Sequence, residues 1–202
     1  MRGENLLMVA DSDHDANMLY AVRMFVPDPF VYLRLDGKGH VVMSDLEIDR
    51  ARVQAPHCRV VSLSQCQKTL RRDGVKKPTL AHVIRFVLQR KRVKKVTVPY
   101  GFPVGLAREL AKLRVKVKVK PGLFFPDRAL KSAEEVKKIS AALMMAEVGL
   151  AEGIQALKNA KVGRKRRLMY HNVPLTSEKL RAIIDTAILQ AGGLASHTIV
   201  AG

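Results

Sequence analysis

The side chains nearest to a metal-binding pattern are Asp11, Asp13 and Asp15, which alternate like the opening of a calcium loop. Such a loop needs glycine at its sixth position for the turn and a bidentate glutamate at its twelfth. Those positions hold Ala16 and Val22, so the three carboxylates read as a solvated turn after a strand. His57, Cys58 and Cys66 offer donors that suit zinc, but their spacing lacks the tight cysteine pair that zinc sites use. His14, His40, His82, His171 and His197 form no pair at helical metal spacing and read as structural or exposed histidines. Gly101-Phe102-Pro103-Val104-Gly105 precedes a helix and could offer amides to a phosphate. It lacks the Lys-Ser/Thr of a P-loop and the three-glycine dinucleotide fingerprint, so it reads as a turn and a helix start. No Gly-x-Ser-x-Gly elbow is present, which leaves nucleophilic catalysis without a local signature.

The elements around these residues alternate between strand and helix. Leu6–Ala10 is a short apolar run closed by the acidic turn, as expected of a buried strand. Phe30–Leu35 and His40–Met43 flank Asp36-Gly37-Lys38-Gly39, whose glycines supply the positive φ that a hairpin requires. The pattern then predicts a helix over 45–53, a strand over 59–63, and a helix over 78–92 with Pro78 in its first turn. A β-branched strand over 93–98, a helix over 103–113 opened by Pro103, and a strand over 114–120 follow. The last alternates Val with Lys, the pattern of a sheet edge with one wet face, where lysine also discourages pairing with a second molecule.

Lys120-Pro121-Gly122 stops this alternation and marks a domain boundary, giving domains 1–122 and 123–202. Beyond it, Ser132 and Glu135 form a capping box, and Val136, Ile139, Leu143, Ala146, Leu150 and Ile154 recur at helical spacing. A basic connector holds Gly163–Arg167 and His171–Pro174. Thr176 then caps a helix through Gln190 that ends at Gly192, and Ile199 begins a strand. Two helices and one strand cannot enclose a core, so this second domain reads as incomplete and needs something to lean on.

Composition narrows the class. The chain has 202 residues, 48% hydrophobic and 27% charged, as expected of a folded globular protein rather than a disordered one. Two cysteines build no disulfide framework, no leader pattern opens the chain and no apolar run is long enough to span a bilayer, which together predict a cytoplasmic protein off the membrane. The net charge is +18, and residues 71–120 hold most of it with 16 basic and 2 acidic side chains. The basic runs Lys91–Lys95 and Arg164–Arg167 read first as solvated surface, because aromatics are 5% of residues and no nucleic-acid-binding motif accompanies them. A non-catalytic basic module that binds nucleic acid or an acidic partner is the alternative.

Asn17-Met18-Leu19-Tyr20, Pro27-Asp28-Pro29-Phe30 and the hairpin after them resemble the amino-terminal domain of the creatinase/Xaa-Pro aminopeptidase family of pita-bread metallopeptidases. Arg128–Leu157, opened by Leu130-Lys131-Ser132-Ala133-Glu134-Glu135-Val136, resembles the first helix of the pita-bread catalytic domain, and Thr198–Gly202 resembles its first core strand. The resemblance implies an α/β chain: a ribonuclease-H-like mixed-sheet amino-terminal domain, then an incomplete pita-bread α+β domain. It implies hydrolysis of peptides with proline in second position, using two divalent metals, manganese or cobalt. Such cations lower the pKa of a bound water and polarise the scissile carbonyl.

The family's ligands are two aspartates, a histidine and two glutamates, all beyond the strand at Thr198–Gly202, and no residue of this chain matches one. The chain is therefore expected to hold no metal and to be inactive alone, as the amino-terminal part of such an enzyme, a truncated product or a relative that lost catalysis. The resemblance further implies a homodimer in which the amino-terminal domain reaches toward the partner's active site. Tyr20, Arg23 and Phe25 are its candidate substrate-access residues, and His197 is the candidate nearest to the missing active site.

Overall fold

The computed structural model describes residues 4–201, except for the side chain of Lys165. Gly202, the last residue of the expected core strand, lies outside the described residues. The chain divides into two compact units, Met1–Arg128 and Ala129–Gly202. In the first, the order is β1 (Leu6–Ala10), α1 (Ala16–Val22), β2 (Phe30–Leu35), β3 (Lys38–Met43), α2 (Ile48–Gln54), β4 (Cys58–Ser62) and α3 (Leu63–Arg72). It continues with α4 (Leu80–Arg90), β5 (Lys95–Val98), α5 (Val104–Lys112) and β6 (Lys116–Val119).

The six strands form one mixed sheet in the order β4-β3-β2-β1-β5-β6. β1–β2 and β2–β3 are antiparallel, while β3–β4, β1–β5 and β5–β6 are parallel. Strand alternation sends Leu7, Val31, Leu33 and Val96 to one face, where they pack with α3, α4 and α5. Leu6, Met8, Tyr32 and Val41 face the other side, with α1, α2, Phe124 and Phe125. The result is a helix–sheet–helix sandwich with a core on each face, and β6 stands at the sheet edge as its Val–Lys alternation predicts.

Local chemistry adjusts several expected boundaries. The hairpin turn is tighter than the four-residue reading: β3 starts at Lys38, and Asp36 (φ 49°) and Gly37 (φ 78°) are its two left-handed residues. Gly39 is a strand residue, and a Cβ there would lie 2.9 Å from the Cys58 Sγ. α4 begins two residues after Pro78, because Thr79 caps it in a reciprocal box with His82. Leu63 opens α3 instead of ending the strand, since the Ser62 hydroxyl accepts from the Gln65 N–H. Phe124 and Phe125, placed after the expected boundary, are buried in the core of the first unit.

The second unit holds α6 (Ala133–Asn159), β7 (Lys161–Val162), β8 (Leu168–Tyr170), β9 (Val173–Pro174) and α7 (Ser177–Gln190). The Ser132–Glu135 box caps α6 and Thr176 caps α7 as the sequence predicts. The basic connector is more ordered than a loop: β7, β8 and β9 form a small antiparallel sheet, turned at His171 (φ 47°) and Asn172 (φ 63°). Residues 199–201 form no strand. α6 meets α7 through Gly149 and Gly153, which with Ala156 are its buried residues. Val136, Ile139, Leu143, Ala146, Leu150 and Ile154, the periodic apolar set, are exposed.

Candidate functional site

The parallel neighbours β1 and β5 send their following helices to opposite faces, α1 to the side of Leu6 and α5 to that of Leu7. Such a switch point leaves a crevice at the carboxyl ends of the strands, the usual place for ligands in an open α/β sheet. A cleft of about 260 Å³ lies there, lined among others by Asp15, Asn17, Tyr100, Phe102 and Arg128. Asp15 caps α1, its Oδ1 accepting from the Asn17 and Met18 amides at 2.9 and 2.8 Å. This cap answers the question posed by the acidic triplet. Asp11 likewise accepts from the His14 N–H at 2.7 Å, which holds its carboxyl below the usual carboxylate range. Arg128 donates to the Asn17 Oδ1 at 2.7 Å and so closes one wall of the cleft.

α1 ends where Arg23 takes a left-handed conformation (φ 58°), its N–H bonding the Leu19 carbonyl at 2.7 Å. The chain then reverses beneath Ser12, which is fully buried. The Ser12 hydroxyl donates to the Met24 carbonyl at 2.7 Å and accepts from the Val26 N–H at 2.8 Å, while the Ser12 N–H bonds the Val26 carbonyl at 3.0 Å. These three bonds hold Met24 and Val26 inward, at 2% and 1% exposure, and force Phe25 between them outward to 58%. Arg50 fixes the same loop from outside, donating to the Phe25 carbonyl at 2.8 Å. Arg23 and Phe25 therefore share one exposed, tightly held loop.

The other candidates sit differently. Tyr20 is half-buried on α1, with its ring 5.4 Å from that of Phe125. His197 belongs to the second unit, exposed at φ 58°, with its Nδ1 2.7 Å from the Ser196 hydroxyl. The residue patterns give no hint of the Ser12 clamp, since its partners lie 12 and 14 positions away in sequence. The Asp15 cap had a signal, Asp followed by Met18 and Val22 at helical spacing.

For a metal, the donor set decides. Among the described residues, no three or more His, Cys, Asp or Glu side chains come together as a metal would require. The residues present therefore do not fit the two-cation centre that the resemblance implies, and no step through such a centre follows from them. His57 uses its Nε2 on the Ala21 carbonyl at 3.0 Å. Cys58 and Cys66 are buried free thiols, and burial pushes Cys58 up to about 11, far from the thiolate form that reacts or binds metal. Among the described residues no helix is long and apolar enough to cross a membrane.

No family profile matches the chain, and no curated protein matches its sequence. Solved structures do match its fold. An X-Pro aminopeptidase from Thermotoga maritima overlaps 93% of the chain with a TM-score of 0.65 at 12% identity, and 47% of its own length is covered. The prolidase from Pyrococcus horikoshii matches over the same share with a TM-score of 0.64 at 14% identity, and a Xaa-Pro dipeptidase from Bacillus anthracis with 0.67 at 10%, each covered over 44% of its length. The chain thus has a creatinase/Xaa-Pro aminopeptidase-like fold and spans a little under half the length of the structures it matches.

Proposed function

We propose that the chain is the amino-terminal portion of a Xaa-Pro aminopeptidase- or dipeptidase-like metallopeptidase. In this reading it serves subunit contact and active-site access, and hydrolyses nothing without further metal-binding residues. The observation that carries the reading is the fold match over 93% of the chain to enzymes of which it covers less than half. The loop at Arg23 and Phe25 supports the contact role. A large aromatic side chain held outward by buried neighbours is preorganised for an interface, since its ordering cost has already been met on folding.

The test has two arms. Given manganese or cobalt and Xaa-Pro dipeptides or tripeptides, the chain is expected to release no amino acid; metal-dependent release would overturn the reading. By sedimentation at tens of micromolar the chain is expected to be a dimer that Phe25→Ser converts to a monomer. A monomeric parent, or a dimer indifferent to this substitution, refutes the contact role while leaving the turnover result to stand by itself.

A further inference from the structure

The positive charge of residues 71–120 is not balanced within the fold. None of their sixteen basic side chains makes an ion pair among the described residues. The strand register concentrates part of it. β5 and β6 pair so that Lys95 stands directly opposite Lys116 and Thr97 opposite Lys118. Like charges facing each other across a pair of strands repel. Val96, Val98, Val115 and Val117 turn to the core shared with α4 and α5, which sends these lysines to the other face. On that second face Thr97 is buried beside Leu6, at 3% exposure, while Lys95, Lys116 and Lys118 stand exposed around it.

The turns that feed the two strands add to the cluster. α4 and α5 both end with an arginine in the left-handed conformation, Arg92 (φ 55°) and Arg114 (φ 61°). The next residue in each case bonds back to the helix, Val93 N–H to the Leu88 carbonyl at 2.9 Å and Val115 N–H to the Leu110 carbonyl at 3.0 Å. This closure favours glycine at the left-handed position, yet both turns carry arginine. The Lys116 N–H bonds the Lys94 carbonyl at 2.8 Å, so the two turns are neighbours at the amino ends of adjacent strands. The acidic groups nearby are few. Asp36 borders the same hollow as Lys91, Arg92, Lys94 and Lys95, and Glu4 accepts from the Thr97 hydroxyl at 2.8 Å.

We infer that this lysine face of β5 and β6, with Arg92 and Arg114 at its end, binds the phosphate backbone of a nucleic acid without reading its sequence. Lys116 and Lys118 are ~6.6 Å apart along β6 and Lys95 stands ~4.8 Å across from Lys116, spacings at which neighbouring phosphates can be met by more than one cation. Binding would relieve the Lys95–Lys116 repulsion and gain from release of the counterions condensed on the phosphates. An acidic protein fits less well. Protein interfaces are anchored by aromatic and apolar side chains and are poor in lysine. Among the exposed large hydrophobic residues, none stands on this face of β5 or β6. A peptide adding itself to β6 would also meet edge lysines, which oppose strand pairing. The inference is independent of the peptidase reading, which concerns the Phe25 loop.

The test is fluorescence anisotropy of the full chain with a labelled 20-nucleotide single strand of mixed sequence. If about five phosphates are neutralised, raising salt from 50 to 200 mM should weaken binding ~100-fold, at a slope of about 0.7 per contact. The double variant Lys95→Gln, Lys116→Gln should lower the log–log slope by about 1.4. Its urea midpoint should be equal to or above that of the parent, because a repulsive pair is removed. The variant Arg166→Gln, Arg167→Gln removes the same charge from the second unit and should leave the slope unchanged. No binding at 50 mM salt, equal losses in both variants, or tighter binding of polyglutamate than of the oligonucleotide would each overturn the inference. If the Lys95/Lys116 variant is destabilised, the single variant Lys118→Gln, with an expected slope loss of about 0.7, decides the matter.

Discussion

Ser12→Ala tests the clamp that presents Phe25. The hydroxyl is fully buried and serves two backbone groups, the Met24 carbonyl and the Val26 N–H, at 2.7 and 2.8 Å. Alanine fills nearly the same space, so the change leaves both groups in place without their partner. A buried polar group left unsatisfied costs ~1–3 kcal/mol, so two predict a loss of about 2–6 kcal/mol, large against the ~5–15 kcal/mol of a typical domain. The chain has no tryptophan and folds as two units, so a single optical transition would mix their contributions. Residue-resolved amide exchange avoids this. Protection at Val26 should fall most, and the β1 and β2 amides should lose the global share, while the amides of α7 stay as they were. Leu46→Ser is the control, because that side chain is 92% exposed and lies outside the Phe25 loop, so its removal should stay within about 0.5 kcal/mol. A Ser12→Ala loss below about 0.5 kcal/mol, with Val26 protected as in the parent, would refute the reasoning and show that the loop does not depend on the hydroxyl.

Two further outcomes follow from other sites. His40 is 4% exposed on β3, its Nδ1–H donates to the Lys38 carbonyl at 3.0 Å, and its Nε2 has no partner among the described residues. Burial lowers its pKa, helped by the charges of Lys91 and Arg59 and opposed by the Lys38 bond and Asp36. The unfolded chain therefore takes up the proton first, near pH ~6.5, so stability should fall as the pH drops below that value and level off below the folded pKa. Urea midpoints of the β3 amides, followed residue by residue at pH 7.5 and 5, measure this, and His40→Phe should shrink the difference; an unchanged difference would sink the assignment. At the helix contact of the second unit, a Cβ on Gly149 would lie 2.5 Å from the Ile188 Cγ1 and 3.0 Å from the Ile184 carbonyl. Gly149→Val should therefore cost ~1–3 kcal/mol by overpacking, read by exchange in α7, whereas Ala146→Val on the exposed side of α6 should cost under about 0.5.

The elements legible in the sequence are those whose signal is local. β1 was bounded by an apolar run and an acidic turn, the Asp36-Gly37 turn carried its own φ requirement, and Ser132 and Thr176 were caps that need no distant partner. The missed helices lacked such a signal. α1 is only seven residues long, and its Asp15 cap looked like the third of three turn carboxylates. α3 buries just Cys66 and Leu70, one helical step apart in an otherwise polar stretch. Beyond the hairpin and the β6 edge, pairing was not legible. Ile199 and Val200 have strand-forming side chains but no neighbouring strand, whereas the basic connector, poor in strand formers, became a sheet because His171 and Asn172 fold it back on itself.

The sharpest divergence is on α6, and its cause bears on how such helices should be read. The periodic apolar residues Val136, Ile139, Leu143, Leu150 and Ile154 foretold the helix correctly but not its buried side. Against α7 the helix turns Gly149 and Gly153 instead, which let the two backbones approach so closely that no Cβ fits without displacing Ile184 or Ile188. Dispersion grows with the number of atoms brought into contact, so a small-residue stripe under two isoleucines can outcompete a row of larger side chains for a single partner helix. Hydrophobic period therefore reports how much apolar surface a helix carries, while the glycines decide which part of it the nearest helix can reach.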